Sequence, residues 1–153
     1  MRVSAKVDYA IRALAELAAV PPGPPVKGER LAEAQGIPLK FLENILTELR
    51  RAEIVASQRG VDGGYRLARP ASEISLAEVI RAVEGPIATI RGSRPEDVDY
   101  TGAAAGLGEI WIELRASMRG VLEETSLADL VARSAGARKP LKGAASRPNS
   151  PSN

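Results

Sequence analysis

Three polar residues, Lys40, Glu43 and Asn44, are three and four positions apart, which is the spacing of neighbours on one helix face. Their chemistry matches the edges of DNA bases: lysine donates to guanine or phosphate, glutamate accepts from the cytosine amino group, and asparagine can pair with adenine. The same residue types are also common on solvent-facing helix surfaces. The triplet therefore predicts either a base-reading surface or a solvated face, and the surrounding elements must decide.

The helix that would carry this triplet spans roughly residues 38–51. Its opposite side is apolar and predicts a core face, formed by Leu42, Ile45, Leu46 and Leu49. A short helix over residues 29–35 precedes it, and Gly36 and Pro38 suit the turn between two helices. This arrangement predicts a helix-turn-helix, whose second helix offers its N-terminal residues to the major groove of DNA.

A glycine-rich stretch follows the second helix and reads "SQRGVDGGYRLARP". Asp-Gly between two strand-like segments is a hairpin signal. A hairpin in this position predicts a wing, with Arg59 entering a minor groove and Gly63 allowing the backbone to approach phosphates. Tyr65 could pack beneath the wing and offer its hydroxyl to a phosphate. Alternatively, the segment is only a solvent-exposed turn, and it lacks the lysine and spacing of a phosphate-binding P-loop.

Other helices frame this unit. Apolar spacing predicts a first helix from Val3 to Ala19 that "PPGPP" ends, and "SLAE" predicts a capping box with Ser75 and Glu78. Residues 86–105 are poorly patterned and predict a loop. A long amphipathic helix follows, and Ser126 can cap a last short helix.

The long helix carries an apolar stripe at three- and four-residue steps, made of Leu107, Trp111, Leu114, Met118 and Val121. Such a stripe could fold back onto its own domain. After a complete small domain, it more often forms the interface of a homodimer, and a dimer suits two DNA half-sites. We therefore predict a dimerisation helix.

The chain contains no cysteine and no histidine. This absence excludes Ser-His-Asp and Cys-His catalysis, ordinary zinc sites and thiolate-bound iron–sulfur clusters. No carboxylates have EF-hand spacing. We predict that the protein is not an enzyme and has no metal site and no cofactor.

No apolar run approaches the about 20 residues that span a bilayer. Charged residues interrupt the N-terminus, which does not have the pattern of a signal peptide. These features predict a cytoplasmic protein without membrane contact. Residues 1–70 carry 11 lysines and arginines against 8 acids, whereas residues 71–133 carry 6 against 11, so the front of the chain favours an anionic partner.

Four segments resemble the IscR/NsrR/CymR-type transcription regulators of bacteria, the Rrf-two family: "SAKVDYAIRALAELA", residues 31–70 with "RG..GGY.LAR", "ISLAEVIRAVEG" and "LADL". The resemblance covers roughly residues 1–133. It implies a dimeric winged helix-turn-helix regulator on a palindromic operator of double-stranded DNA, as repressor or activator. By position it implies base reading by Lys40, Glu43 and Asn44, wing contacts by Gln58, Arg59, Gly63 and Tyr65, and N-terminal backbone contacts by Arg2, Ser4 and Tyr9.

Many members of this family hold an iron–sulfur cluster through cysteines or histidine in the loop before the dimerisation helix. This chain has none of those ligands, and the single carboxylate of Asp8 cannot replace them. The sequence resembles the cluster-free branch, whose cysteine-metabolism repressors respond to a sulfur metabolite or a sulfur-assimilation enzyme. The loop is then a candidate effector surface, or else merely solvated, with polar residues Arg91, Arg94, Glu96, Asp97 and Asp99.

Together these features predict a mainly α protein with a small β-hairpin wing. The expected parts are a winged helix-turn-helix domain (residues 1–85), an effector or linker loop (86–105), a dimerisation helix with a short C-terminal helix (106–136) and a disordered basic tail (137–153). The expected function is that of a DNA-binding transcriptional regulator. The alternative is a winged-helix protein-interaction module that does not bind DNA.

Overall fold

A computed structural model of the protein describes residues 2–137. Its elements are α1 (Ala5–Ala19), α2 (Gly28–Gln35), α3 (Leu39–Arg51), β1 (Val55–Gln58), β2 (Gly64–Leu67), α4 (Leu76–Glu84), α5 (Leu107–Glu124) and α6 (Leu127–Ala137). The predicted mainly α architecture with one β-hairpin is confirmed. The predicted tail lies outside the described residues except for Ala137, which ends α6.

The core forms where apolar faces of α1, α3 and α4 meet. The apolar side of α3 is fully enclosed, since Leu42, Ile45, Leu46 and Leu49 are at most 1% exposed. Leu14 of α1 and Val79 of α4 are likewise buried. Because each of these helices repeats its apolar residues at helical spacing, packing one face against the core leaves the other face in solvent.

The hairpin is a two-stranded antiparallel ladder in which Val55 faces Leu67 and Gln58 faces Gly64. A third segment joins it, because Val26 and Tyr65 exchange two backbone hydrogen bonds of 2.8 and 2.7 Å. Gly64 makes this approach possible, since a Cβ atom there would lie 2.5 Å from the Val26 carbonyl oxygen. The chain before α2 thus anchors the base of the wing.

Hydroxyl caps fix the starts of three helices. Ser4 accepts from the Val7 amide at the start of α1, and Ser75 accepts from the Glu78 amide at the start of α4. The carboxylate of Glu78 pairs with Arg69, so only half of the predicted capping box is formed as expected. Ser126 and Asp129 form a reciprocal cap at α6, which lowers the pKa of the Asp129 carboxyl through hydrogen bonds from Ser126.

The last helix, α6, packs against α1 and not against the long helix with which it was grouped. Leu127 is fully buried in the common core. Two backbone hydrogen bonds of 2.9 Å each, from Leu76 to Thr125 and from Leu127 to Ile74, turn the chain back beside the start of α4. These contacts place α6 against the helices of the winged-helix core.

The long helix α5 stands apart from this core, with no buried residue along its length. It packs on α4 and on a short turn at residues 95–97. Residues 86–105 form the predicted loop, with this turn and a second one at residues 102–104. Within residues 2–137, no helix is both long and apolar enough to cross a membrane.

We predict that Leu127→Ala lowers the free energy of unfolding by about 2–5 kcal/mol, because it leaves a cavity in a fully enclosed site. The measurement is urea denaturation at fixed protein concentration. Val61→Ala is the control, since Val61 is 86% exposed at the wing tip and its truncation should change stability by less than about 0.5 kcal/mol. Equal stability of the two variants would contradict the conclusion that α6 packs into the core.

Candidate nucleic-acid interface

The solvent face of α3 begins at the N-terminal end of the helix. Lys40, Glu43 and Asn44 are all exposed there, so the three residues of the predicted base-reading triplet share one free surface. Because the apolar side of α3 is buried, this polar side must face the solvent. Thr47 continues the same side one turn later, but its hydroxyl donates to the Glu43 carbonyl oxygen at 3.0 Å and is thereby held by the helix backbone.

An aromatic residue that the sequence analysis overlooked, Phe41, lies within this polar surface and is 43% exposed. The ring of Tyr9 meets it edge-to-face, with centroids 5.6 Å apart and planes at 87°. The guanidinium of Arg12 lies 5.4 Å from the Tyr9 ring centroid and extends this stack. Phenylalanine can contact the methyl group of thymine, so Phe41 is a further candidate for a base contact.

These contacts give Tyr9 a supporting position between α1 and α3. A second link comes from Lys6, whose ammonium forms an ion pair with Glu48 at 2.7 Å. Lys6 and Asn44 line a common cleft of about 440 Å³ beside α3. The start of α1 therefore holds α3 from the side, and it brings a lysine next to the predicted reading surface.

The two other N-terminal residues implied by the resemblance have different surroundings. The hydroxyl of Ser4 accepts the Val7 amide at 3.2 Å, which occupies it as the cap of α1. Arg2 is exposed and lines an apolar cleft of about 360 Å³ together with Glu84 and Met118. The structure thus does not bring Arg2, Ser4 and Tyr9 together as one group.

At the wing, Gln58 and Arg59 are exposed at the end of β1. Gly63 is buried inside the tip, where a Cβ atom would lie 2.2 Å from the Gln58 carbonyl oxygen. The close backbone packing at the wing tip therefore requires a residue without a side chain at position 63. Tyr65 is half-buried, with its ring against the start of α2 at Gly28.

A cleft of about 330 Å³ separates the wing from the helix-turn-helix. Its polar lining includes Lys27, Arg50, Gln58 and Arg59, with Glu29 as the acidic member. The ammonium of Lys27 donates to the Val61 carbonyl oxygen at 2.7 Å and so ties the wing tip to the start of α2. Sequence reasoning missed Lys27 and Arg50, because only the folded chain brings these distant positions beside Arg59.

The cations around this cleft remain available to an anion. Among residues 2–137, no carboxylate forms an ion pair with Lys40, Arg50 or Arg59. Elsewhere on the surface, arginines such as Arg12 and Arg69 are paired with carboxylates. Unpaired cations beside a free helix face are the charge pattern that phosphate contacts require.

The predicted dimerisation stripe divides into two halves along α5. Leu107, Trp111 and Met118 are half-buried against the protein's own chain. Leu114 and Val121 are 36% and 65% exposed and share their face with Ile110, which is 57% exposed. The free apolar strip is therefore formed by Ile110, Leu114 and Val121.

The predicted effector loop is tied together by ion pairs. Arg94 pairs with Asp97 at 3.1 Å, and Glu96 pairs with Arg115 of α5. Arg91 and Asp99 are exposed, and Arg91 has a left-handed backbone with φ of 50°. The loop is thus attached to α5 through Glu96, whereas the pair of Arg94 and Asp97 lies within the loop itself.

The sequence profile of the Rrf2 family, described as iron-dependent transcriptional regulators, matches residues 3–133. The chain is 52% identical over 130 residues to an HTH-type transcriptional regulator of Mycobacterium tuberculosis, covering 85% of this chain and 81% of that protein. It is 35% identical over 131 residues to IscR of Serratia proteamaculans, covering 86% and 79%.

Solved structures agree with these sequence relatives. CymR, the global cysteine regulator of B. subtilis, matches with a TM-score of 0.75 at 30% identity, covering 87% of this chain and 98% of that one. IscR of T. potens matches with a TM-score of 0.74 at 30% identity, covering 90% and 91%. These relatives are transcriptional regulators and not enzymes. The chain therefore belongs to the Rrf2 family of winged helix-turn-helix transcriptional regulators.

Proposed function

We propose that this regulator is a cytoplasmic repressor that binds double-stranded DNA with sequence specificity, as a homodimer on a palindromic operator. One observation carries the proposal: Lys40 on the free face of α3, and Arg50 and Arg59 in the cleft beside the wing, have no carboxylate partner among residues 2–137. The α3 face supplies base recognition, and the cleft supplies phosphate contacts that position it.

The homodimer is supported by the free apolar strip of α5. Ile110, Leu114 and Val121 lie within about 40° of one another around the helix, on the side left open by the protein's own chain. A second copy of the same strip would cover it by a two-fold contact. Such a dimer presents two copies of α3 to half-sites about one helical turn of DNA apart.

We propose further that regulation proceeds without an iron–sulfur cluster, although the family profile is described as iron-dependent. Cluster irons are held by thiolates or histidines, and this sequence contains neither. In the corresponding loop, Glu96 and Asp97 are engaged by arginines, and in α1 the carboxylate of Asp8 pairs with Arg12 at 3.0 Å. Among residues 2–137, no three potential ligands are grouped for a metal ion.

A link to sulfur or cysteine metabolism is the proposed biological context. It is supported by the likeness to CymR, the global cysteine regulator of B. subtilis. The loop at residues 86–105 is the proposed surface for a metabolite or a sulfur-metabolism enzyme, because it joins the winged-helix body to α5.

The test is selection of fragments from the genomic DNA of the source bacterium by the purified full-length protein. We expect enrichment of a small set of palindromic sites, and placement of these sites over promoters would support repression. Failure to enrich any site at low salt, with the protein folded and dimeric, would contradict the proposal and favour a winged helix that binds another protein.

We predict that Glu43→Ala relaxes discrimination at one base pair of each half-site by about 1–3 kcal/mol, because it removes an acceptor from the reading face. Arg59→Ala should instead weaken binding to all sequences and reduce the salt slope by about one unit. Both are measured by fluorescence anisotropy on operator variants at several salt concentrations.

Glu73→Ala is the matched control for this pair, since Glu73 is exposed on the turn after the wing, which packs against α6. It should leave affinity and sequence preference unchanged. If Glu43→Ala behaved like this control, the assignment of α3 as the reading helix would be wrong.

We predict that Leu114→Glu converts the dimer to a monomer at micromolar concentration, because an unpaired charge in an apolar interface costs about 3 kcal/mol or more. Ile112→Glu is the control, since Ile112 is almost equally exposed, 38% against 36%, but projects about 160° away around α5. Analytical ultracentrifugation distinguishes them. Dissociation by both variants, or by neither, would contradict an interface on this strip.

A further inference from the structure

A pocket of about 290 Å³ lies between the end of α4, the following loop and the outer side of α5. Four arginines line it: Arg81 from α4, Arg94 from the loop, and Arg115 and Arg119 from α5. Glu123 is the only acidic residue among its lining residues. The pocket is therefore a concentration of positive charge, in a part of the chain that otherwise carries more acidic than basic residues.

Only some of the N–H donors of these guanidinium groups bind carboxylates. Arg81 and Arg119 share the same Glu123 carboxylate oxygen, at 2.5 and 3.2 Å, and they lower the pKa of that carboxyl, with Arg81 the larger cause. Arg94 and Arg115 bind Asp97 and Glu96, which are not lining residues of the pocket.

Each of these four arginines engages a carboxylate side chain through a single nitrogen. A guanidinium carries five N–H donors, so several donors per residue remain for a further acceptor. Arginine forks bind planar and tetrahedral oxyanions in pairs of parallel bonds. The chemistry of the remaining donors therefore favours an oxyanion over a neutral ligand.

The loop over the pocket is held in an uncommon backbone conformation. Ala88 and Arg91 have φ values of 55° and 50°, which are disfavoured for residues other than glycine. Ile90 and Ser93 exchange backbone hydrogen bonds of 2.8 and 2.9 Å that close the turn between them. The side of the pocket also includes Thr89, whose hydroxyl can donate to an anion. Strained positions of this kind are concentrated at ligand-binding sites.

We propose that this pocket binds a small anion with two or more negative charges, such as a di- or tricarboxylate or a tetrahedral oxyanion. Glu123, Asp97 and Glu96 balance three of the four guanidinium charges, so the preference for a multivalent anion rests on the N–H donors that remain, which several oxygen atoms of one anion can engage together. The pocket lies on a different side of α5 from the free apolar strip, so a homodimer through that strip leaves it open.

The ligand would bridge two parts of the molecule. Arg81 is carried by α4 within the winged-helix body, whereas Arg115 and Arg119 belong to α5. Occupancy therefore favours one orientation of α5 relative to that body. An effect of the anion on DNA affinity rests on the proposed function, whereas binding of the anion itself does not.

The test is titration of the DNA-free full-length protein with citrate and with inorganic phosphate, at constant ionic strength set by sodium chloride. Isothermal calorimetry measures binding, and fluorescence of Trp111, the single tryptophan of the chain, provides a second signal on α5. We expect saturable binding of at least one of the two probes and none of acetate, a monovalent carboxylate.

Three variants locate the binding. Arg119→Gln should weaken it about tenfold or more, because a charge-assisted hydrogen bond is lost. Glu123→Gln should tighten it several-fold, because the competing carboxylate of the pocket is removed. Arg133→Gln, an exposed arginine on α6, should leave it unchanged.

Thermal melts confirm that each variant is folded, and Arg81→Gln replaces Arg119→Gln if the latter is not. Absence of saturable binding by both probes would overturn the proposal and leave the arginines as a structural ion-pair network. Binding that Arg119→Gln and Glu123→Gln leave unchanged would also overturn it, by placing the anion elsewhere. Since no DNA is present, these outcomes are independent of the proposed function.

Discussion

Burial of the apolar face of α3 is the constraint on which the candidate interface depends. Four aliphatic side chains at helical spacing, Leu42, Ile45, Leu46 and Leu49, are enclosed by the core and fix the rotation of the helix about its own axis. Turning the helix by even one residue would expose some of them, at about 1.5–3 kcal/mol each. This packing alone orients Lys40, Glu43 and Asn44 toward the solvent, without contacts made by their own side chains.

The wing depends on a different interaction, since a two-stranded hairpin alone is marginally stable in water. The pair of hydrogen bonds between Val26 and Tyr65 adds a third strand-like segment beside β2. Lys27 holds the tip of the wing through the Val61 carbonyl oxygen. Val26 and Lys27 lie just before α2, in the segment that follows "PPGPP". The position of the wing is thereby coupled to the start of the helix-turn-helix.

The local signals in the sequence are sufficient for the helices, for the hairpin and for the shared exposed face of Lys40, Glu43 and Asn44, because periodicity, caps and turn residues act over a few positions. Contacts between distant segments were not accessible in this way. The strand-like role of Val26, the cleft position of Lys27 and Arg50, and the packing of Phe41 on Tyr9 each depend on tertiary structure. The same reason explains α6: its apolar pattern predicts a helix, but only the bonds around Thr125 and Leu127 show that it returns to the core.

The long helix α5 has three sides with different surroundings, and this division links the parts of the molecule. One side packs on α4, a second carries the free strip of Ile110, Leu114 and Val121, and a third contributes Arg115 and Arg119 to the arginine pocket. No residue of α5 is fully buried, and its apolar contacts with the protein's own chain are made by half-buried residues such as Leu107, Trp111 and Met118. Ion pairs add to this packing, from Arg81 of α4 to Glu123 and from Glu96 of the loop to Arg115. Ion pairs near the surface contribute less stability than core packing and are weakened by a competing charge, so we expect this junction to change more readily than the core.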